Sequence, residues 1–120
     1  MGARVLKTDG IQKIDGAELY GADQAPEDAL WVRAVRSPHA NASFTFGDFS
    51  ELHSKWPGLV KVLTANDVPG RNGYGVYPDV NDQPAIADGE IRFKGETVVA
   101  LVGDHTSVYG IRDEEVPIDY

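Results

Sequence analysis

The longest apolar run in the chain, Val98 to Val102, is the feature that most limits how the chain can fold. Five apolar residues in a row, with no polar alternation, are typical of a short strand that is buried on both faces. A membrane-spanning helix would need about 20 such residues. The run therefore predicts a soluble domain with a sheet in which residues 98–102 form the central strand.

Six further segments have the composition of strands, on both sides of the central run. Leu30 to Val35 is apolar on both faces, so we expect both faces to be covered. Residues 43–46 place two Phe side chains on one face. Pro117 cannot donate a ladder hydrogen bond, which predicts an edge position for the last strand. The six segments are residues 17–23, 30–35, 43–46, 59–64, 91–93 and 116–120.

One complete helix is predicted after residue 48. Asp48 can act as its N-cap, with Glu51 as the capping-box partner. Phe49, Leu52 and Trp56 then fall on one face, which predicts that this face packs on the core.

Two shorter helical segments follow. Thr64 can cap a single turn that ends before Pro69, and Gly110 weakens a helical pattern over residues 105–115. Between these segments, residues 70–90 hold Gly, Asn, Asp and Pro at high density. They predict a long loop, and loops of that length are often functional or interfacial.

The length of 120 residues fits a single domain. We expect an N-terminal arm over residues 1–16 and an α+β domain over residues 17–120. Asp119 and Tyr120 close a strand without a turn or cap, which suggests a piece of a larger protein.

Charge and composition argue against several classes of function. A formal net charge of -8 and a pI near 4.7 argue against nucleic acid or a membrane surface as partner, because binding to either needs a basic face. The absence of cysteine excludes disulfides, thiolate metal sites and a Cys nucleophile within this chain. No apolar secretory segment is visible near residue 1, so we expect a cytoplasmic location.

Ser37 and His39 raise the question of a nucleophile and its base. Residues two apart share one face of a strand, but Pro38 lies between them and holds Ser37 extended. A catalytic base is also usually remote in sequence from its nucleophile. The favoured interpretation is a turn in which both side chains bond to backbone, with a self-sufficient hydrolase as the alternative.

The other polar motifs also favour structural roles. His53 is expected on the solvent side of the predicted helix and His105 at a helix start, and no His-x-x-x-His pair supports a metal. The glycines at 70, 73 and 75 match no phosphate loop, and Pro84 stands where a calcium loop needs glycine. The acidic residues 113–115 are expected to form a solvated helix end.

Several motifs, in order from Asp9 to Tyr120, resemble one known family. The opening "DGIQKIDGAELYGAD" and the segment Arg36-Ser37-Pro38-His39-Ala40 are similar to the start of its molybdenum-cofactor-binding large subunit. The family is that of xanthine dehydrogenase and aldehyde oxidase. The later segments "PGLVKVLTANDVPG", "DQPAIADGEIRFKGETVVALVGD" and "VPIDY" resemble it too. Asp15, Thr97 and residues 108–112 depart from the family pattern, which leaves the subfamily and the substrate open.

The resemblance implies an α/β hammerhead domain with a mixed sheet and two main helices. It implies the N-terminal structural domain of a hydroxylase that oxidises aldehydes or aromatic N-heterocycles with oxygen from water. The complete subunit would hold a molybdenum–pterin cofactor, and a partner subunit or domain would hold iron–sulfur clusters, with flavin subunits as further partners. The resemblance assigns no catalytic, cofactor-binding or metal-ligating residue to this chain, which alone is expected to be inactive.

A free-standing, non-catalytic binding module that uses residues 70–90 is the alternative. If a partner normally covers the domain, apolar surface should be exposed in its absence. The residues expected there are Trp31, Phe44, Phe46, Tyr74 and Tyr77.

Overall fold

The computed structural model describes residue 2, residues 5–77 and residues 79–120. Within them lie three helices: α1 (Gly10–Asp15), α2 (Ser50–Lys55) and α3 (His105–Gly110). The strands are β1 (Trp31–Arg36), β2 (Ala42–Ser43), β3 (Thr45–Phe46), β4 (Leu59–Leu63), β5 (Glu90–Ile91), β6 (Thr97–Gly103) and β7 (Ile118–Asp119). Short 3-10 turns cover Gly21–Gln24, Ala65–Asp67 and Asp113–Glu115.

The largest sheet has the strand order β1–β6–β4. Its central strand is β6, which confirms the prediction from the apolar run. Val98, Val99 and Leu101 are fully buried there, and Val35 of β1 lies opposite Val99. Each fully buried Val or Leu contributes roughly 1.5–3 kcal/mol. This strand is therefore a large contributor to the stability of the domain.

Two smaller sheets pair β2 with β5 and β3 with β7. The strand predicted over residues 43–46 is split at Phe44, because its two halves pair with different strands. The Phe44 N–H donates to the Gly89 carbonyl at 3.0 Å. Phe44 is buried against Phe46, with ring centroids 5.2 Å apart. The expected exposure of Phe44 is therefore wrong, and Phe46 packs half-buried against the core.

Helix α2 buries the predicted face, with Leu52 in the core and Trp56 packed against it. Its N-cap residue is Phe49, so the predicted capping box of Asp48 and Glu51 is wrong. The Asp48 carboxylate still accepts the Ser50 N–H at 2.9 Å. This bond satisfies a backbone donor that has no partner within the helix.

Helix α3 ends at Gly110 and is therefore shorter than the predicted helical segment of residues 105–115. A Cβ on Gly110 would come within 2.6 Å of two ring carbons of Trp56. Close packing against this ring explains a glycine that local propensity alone disfavours. Residues 113–115 form a separate 3-10 turn instead of continuing the helix.

Two expectations about strands differ from the structure. All pairings between described strands are antiparallel, whereas a mixed sheet was predicted. β1 and β4 run in the same direction, but β6 lies between them, so they do not pair with each other. Residues 17–23 form no strand, since no described strand lies beside them, and Gly21–Gln24 is a 3-10 turn. The division into residues 1–16 and 17–120 stays a prediction. Residues 1, 3 and 4 of the expected arm lie outside the described residues, and α1 falls within it.

The predicted long loop is held by specific contacts. The Asn72 side chain closes its base by accepting the Ala85 N–H at 3.0 Å and donating to the Ile86 carbonyl at 2.7 Å. At Gly75 a Cβ would lie 1.7 Å from the Val80 carbonyl oxygen, so this close approach requires glycine. The loop is therefore an ordered feature.

Candidate docking surface

The Ser37 side chain has a structural role. It is only 3% exposed. Its hydroxyl accepts the His39 N–H at 3.0 Å and donates to the His39 carbonyl at 3.1 Å. Because both bonds go to turn backbone, the predicted turn is confirmed for Ser37.

The His39 ring does not face the Ser37 hydroxyl as a base would. It packs on the ring of Tyr120, with centroids 4.7 Å apart. The expectation that this side chain bonds to turn backbone is wrong. Burial raises the pKa of Tyr120 above its ordinary value. The pair therefore forms an aromatic contact between the turn and the last strand.

Two distant motifs of the chain meet at this turn. The Ser37 N–H donates to the Glu96 carbonyl and the Gly95 N–H to the Ser37 carbonyl, both at 2.9 Å. The Arg36 guanidinium donates to the Gly95 carbonyl at 2.8 Å. Gly95 has a φ of 92°, which favours glycine. The Arg-Ser-Pro-His and Phe-Lys-Gly-Glu segments are thus one hydrogen-bonded unit.

Among the described residues, Glu96 is the charged residue that is buried, with 2% of its surface exposed. One carboxylate oxygen accepts the Arg92 N–H at 2.6 Å, and the other lies 3.5 Å from the Arg92 guanidinium. A buried carboxylate is costly unless it is paired in this way. Glu96 therefore holds the turn of residues 92–96, a role that the sequence analysis missed.

Arg33 joins β1 to α3, which the sequence analysis also missed. Its Nε donates to the Val108 carbonyl at 2.8 Å and its Nη2 to the Ile111 carbonyl at 2.7 Å, while Nη1 pairs with Asp113. These bonds satisfy carbonyls that are free at the end of the helix. The sequence does carry a signal for this role, namely a single Arg within an apolar strand. A half-buried guanidinium needs hydrogen-bond acceptors, so such an Arg indicates acceptors nearby.

The acidic segment Asp113–Glu115 is not the solvated helix end that was predicted. Glu115 pairs with Lys55 at 2.5 Å and with Arg112 at 2.9 Å. Hydrogen bonds from Lys55 and Arg112 lower the pKa of Glu115 to about 2. The segment therefore connects α2 to the last strand through ion pairs.

The two other histidines occupy the predicted positions. His53 is exposed on α2, with Nδ1 3.1 Å from the Leu59 carbonyl oxygen, and His105 is the first residue of α3. Across residue 2, residues 5–77 and residues 79–120, no three His, Asp or Glu side chains gather as metal ligands. None of the helices in that part is long and apolar enough to cross a membrane.

A cavity of about 260 Å³ opens beside the Ser37 turn. Arg36, Asp113, Glu114 and Tyr120 contribute its polar lining. Small-molecule sites are usually larger, at about 300–1,000 Å³. With the nearby hydroxyl already bonded to backbone, the cavity has no activated nucleophile.

The N-terminal segment leaves its apolar side chains outside the core. Helix α1 buries none of its residues, and a Lys13–Asp9 ion pair on its surface spans one helical turn. An exposed set of large apolar side chains of this kind marks an interaction surface. Its members are Val5, Leu6, Ile11, Ile14, Leu19 and Tyr20.

A second exposed apolar set lies at the start of β1. Trp31 is exposed as predicted and packs edge-on against His105, with ring centroids 4.9 Å apart. Val32 is 60% exposed, and Leu30 before it is also exposed. The prediction that both faces of this strand are covered is therefore wrong for its first half.

The tip of the long loop carries a third exposed apolar set. Tyr74 pairs with Gln83 and Tyr77 with Val80 as isolated antiparallel bridges. Tyr74 and Tyr77 are exposed as predicted, and Val76 is 93% exposed. Backbone pairing thus holds an apolar tip away from the core.

We call residues 5–32, 74–77 and 79–80 the docking surface. The Cα radius of gyration is 20.1 Å, against about 14 Å for a compact domain of this length. The accessible area is 8809 Å², against about 6,300 Å² for a compact monomer. The excess of roughly 2,500 Å² shows that the chain is more extended than a compact monomer of this size. This arrangement is suited to burying apolar area against a partner.

Comparison with known proteins places this geometry in one family. The model of the aldehyde oxidase and xanthine dehydrogenase a/b hammerhead domain matches residues 15–120. Xanthine dehydrogenase/oxidase of Rattus norvegicus is 40% identical over 91 residues, which cover 74% of this chain and 6% of the relative. The nicotinate dehydrogenase large molybdopterin subunit of Eubacterium barkeri is 23% identical over all of this chain and 28% of its own length.

A solved structure agrees with the sequence matches. Aldehyde oxidoreductase from Desulfovibrio gigas superposes with a TM-score of 0.78 at 25% identity, over 93% of this chain and 13% of that one. The chain spans less than a third of the length of each of these relatives. The predicted fold class is confirmed, and the chain belongs to the aldehyde oxidase and xanthine dehydrogenase family, whose α/β hammerhead domain it forms.

Proposed function

We propose that this chain is the N-terminal structural domain of a molybdopterin-dependent hydroxylase or dehydrogenase. The complete enzyme oxidises aldehydes or aromatic N-heterocycles, takes its oxygen from water and works in the cytoplasm. The docking surface packs against the cofactor-bearing domains of the same subunit. Iron–sulfur clusters in a partner subunit or domain, together with flavin subunits, carry the electrons away.

The observation that carries this proposal is the size of the uncovered apolar surface. Exposed apolar side chains run from Val5 to Val32 and recur at the loop tip. A protein that works as a monomer rarely exposes so many large apolar side chains close together in its sequence. The family relatives are several times longer than this chain, so their additional domains offer a natural cover.

The chain supplies no thiolate ligand for an iron–sulfur cluster, and the described residues supply no set of metal ligands. The chain has no cysteine, and the described part gathers no three metal-ligating side chains. Glu96, its buried carboxylate, is engaged with Arg92. We propose that both groups are held outside this chain, and we expect the chain alone to be inactive.

The first experiment is to sequence the DNA downstream of the Tyr120 codon in the source genome. An in-frame or adjacent continuation with pterin-binding segments supports the proposal. The complete protein should then contain molybdenum and hydroxylate an aldehyde or heterocycle with ¹⁸O from labelled water, while the 120-residue chain does neither. A stop codon without any such neighbouring gene would contradict the proposal and favour the free-standing binding module.

A further inference from the structure

The exposed half of β1 is also a free sheet edge. β1 pairs with β6 on one side only. Within the described residues, no backbone group of Trp31–Arg36 bonds across its outer side. In an antiparallel strand, alternate residues point their N–H and C=O groups away from the neighbour. Those groups must find partners when they are taken out of water.

This requirement restricts what can cover the docking surface at β1. A partner that buries Val32 by apolar contact alone would leave the outward N–H and C=O groups unpaired. Each unpaired buried group costs about 1–3 kcal/mol. A partner that supplies an extended strand satisfies these groups and buries the side chains together.

The opposite edge of the same sheet is protected against such pairing. β4 carries an irregularity between Leu59 and Lys61, which places Val60 in a bulge. Lys61 pairs with Asp67 at 2.6 Å. A bulge is one of the usual means by which proteins block edge pairing, whereas the paired charge of Lys61 adds no such block.

The β1 edge lacks this protection over its first five residues. Its irregularity falls at the far end, between Val35 and Arg36. Arg33 is drawn onto the carbonyls of α3, and Arg36 onto Gly95. Neither charge is therefore free to block a strand arriving beside Trp31 and Val32.

We propose that β1 accepts an extended strand from the cofactor-bearing part of the same subunit. This proposal rests on the proposed function. With the added strand, the sheet has four strands and β1 is the second. The added strand places apolar side chains beside Val32 and Ala34, which lie on the face of β1 opposite Arg33. A second copy of the chain is a poorer occupant, because each copy carries a net charge of -8 and like charges oppose association.

Backbone amide exchange in the complete subunit and in the 120-residue chain tests this proposal. In the isolated chain, about half of the amides of Trp31–Arg36 should exchange fast. In the complete subunit, this fast half should slow by at least about 10-fold. The outward amides of Leu59–Leu63 should stay fast in both samples. If the outward amides of β1 still exchange fast in the complete subunit, the proposal is overturned.

Val32 and Val60 provide a matched pair of variants, because both are 60% exposed. In the complete subunit, Val32→Lys should raise the exchange rate of the outward β1 amides by at least about 10-fold. Val60→Lys should leave that rate unchanged. Slow exchange of β6 in both variants shows that the domain still folds. Equal effects of the two variants overturn the proposal.

Two further outcomes are separable. Failure to find any longer subunit contradicts the proposed function itself and removes the partner that this inference names. If β1 protection appears in the isolated chain as its concentration rises, the occupant is a second copy, and the assignment to the same subunit is overturned.

Discussion

The two ends of β1 have similar residues and opposite surroundings. Val35 is 2% exposed and Val32 is 60% exposed, although both belong to one strand beside β6; they also point to opposite faces of the sheet, because they lie three residues apart. The Ser37 turn and the Gly95–Glu96 segment close the far end. At the near end α3 contacts the face that carries Trp31 and Arg33, while in the described residues the Val32 face stays exposed. Burial in this domain is thus decided by what packs across the strand more than by the composition of the strand.

The largest expected difference comes from trimming the two valines. Val35→Ala should lower the free energy of unfolding by about 1.5–3 kcal/mol, because it removes buried methyl groups and leaves a cavity. Val32→Ala should change it by less than about 0.5 kcal/mol in the isolated chain. Urea unfolding of both variants measures the contrast, and equal losses would contradict the difference in burial.

A second contrast uses two glycines. Gly110→Ala should destabilise the domain by about 1–3 kcal/mol, because overpacking would force the Trp56 ring to move. Gly21 lies in the docking surface with nothing within 4 Å of a Cβ, so Gly21→Ala should be close to neutral. Thermal unfolding compares them. A neutral Gly110→Ala would show that the Trp56 contact does not constrain the helix end.

The Ser37 turn allows a smaller test at the closed end of β1. Ser37→Ala should cost about 1 kcal/mol, because the His39 N–H loses its acceptor. His39→Ala removes only the exposed ring contact with Tyr120 and should cost less. Denaturant unfolding ranks the two variants. A serine-directed probe should label neither wild type nor His39→Ala, and labelling that depends on His39 would revive the hydrolase interpretation.

The smallest effect concerns pH. The pKa of Glu115 is lowered to about 2 in the folded state by Lys55 and Arg112. The ion pairs therefore stabilise the fold above the ordinary Glu pKa of about 4.3, and this contribution is lost as the pH falls towards 2. Glu115→Gln should flatten the stability profile between about pH 4.5 and 2. An unchanged acid slope would show that these pairs do not contribute.

The sequence predicts best the features that are fixed by a few neighbouring residues. The run from Val98 to Val102 specifies a buried strand by itself, because no other position in a small domain suits it. The turn at Ser37 follows from the local restriction that Pro38 imposes.

The misses have one physical cause, which is dependence on distant partners. The exposure of Val32 depends on what lies beside the strand, and the burial of Phe44 depends on which strands its neighbours pair with. The shortened α3 depends on the Trp56 ring. Arg33 and Glu96 acquire their roles from backbone groups that local periodicity does not reveal.

Side-chain footprinting by hydroxyl radicals tests most directly whether the open end is a docking surface. The complete subunit and the 120-residue chain would be oxidised under identical conditions and compared residue by residue. We predict that Trp31, Tyr20 and Tyr77 are oxidised in the isolated chain and protected in the complete subunit, while the buried Phe44 stays unreactive in both. Equal oxidation of those three residues in both samples would contradict the account.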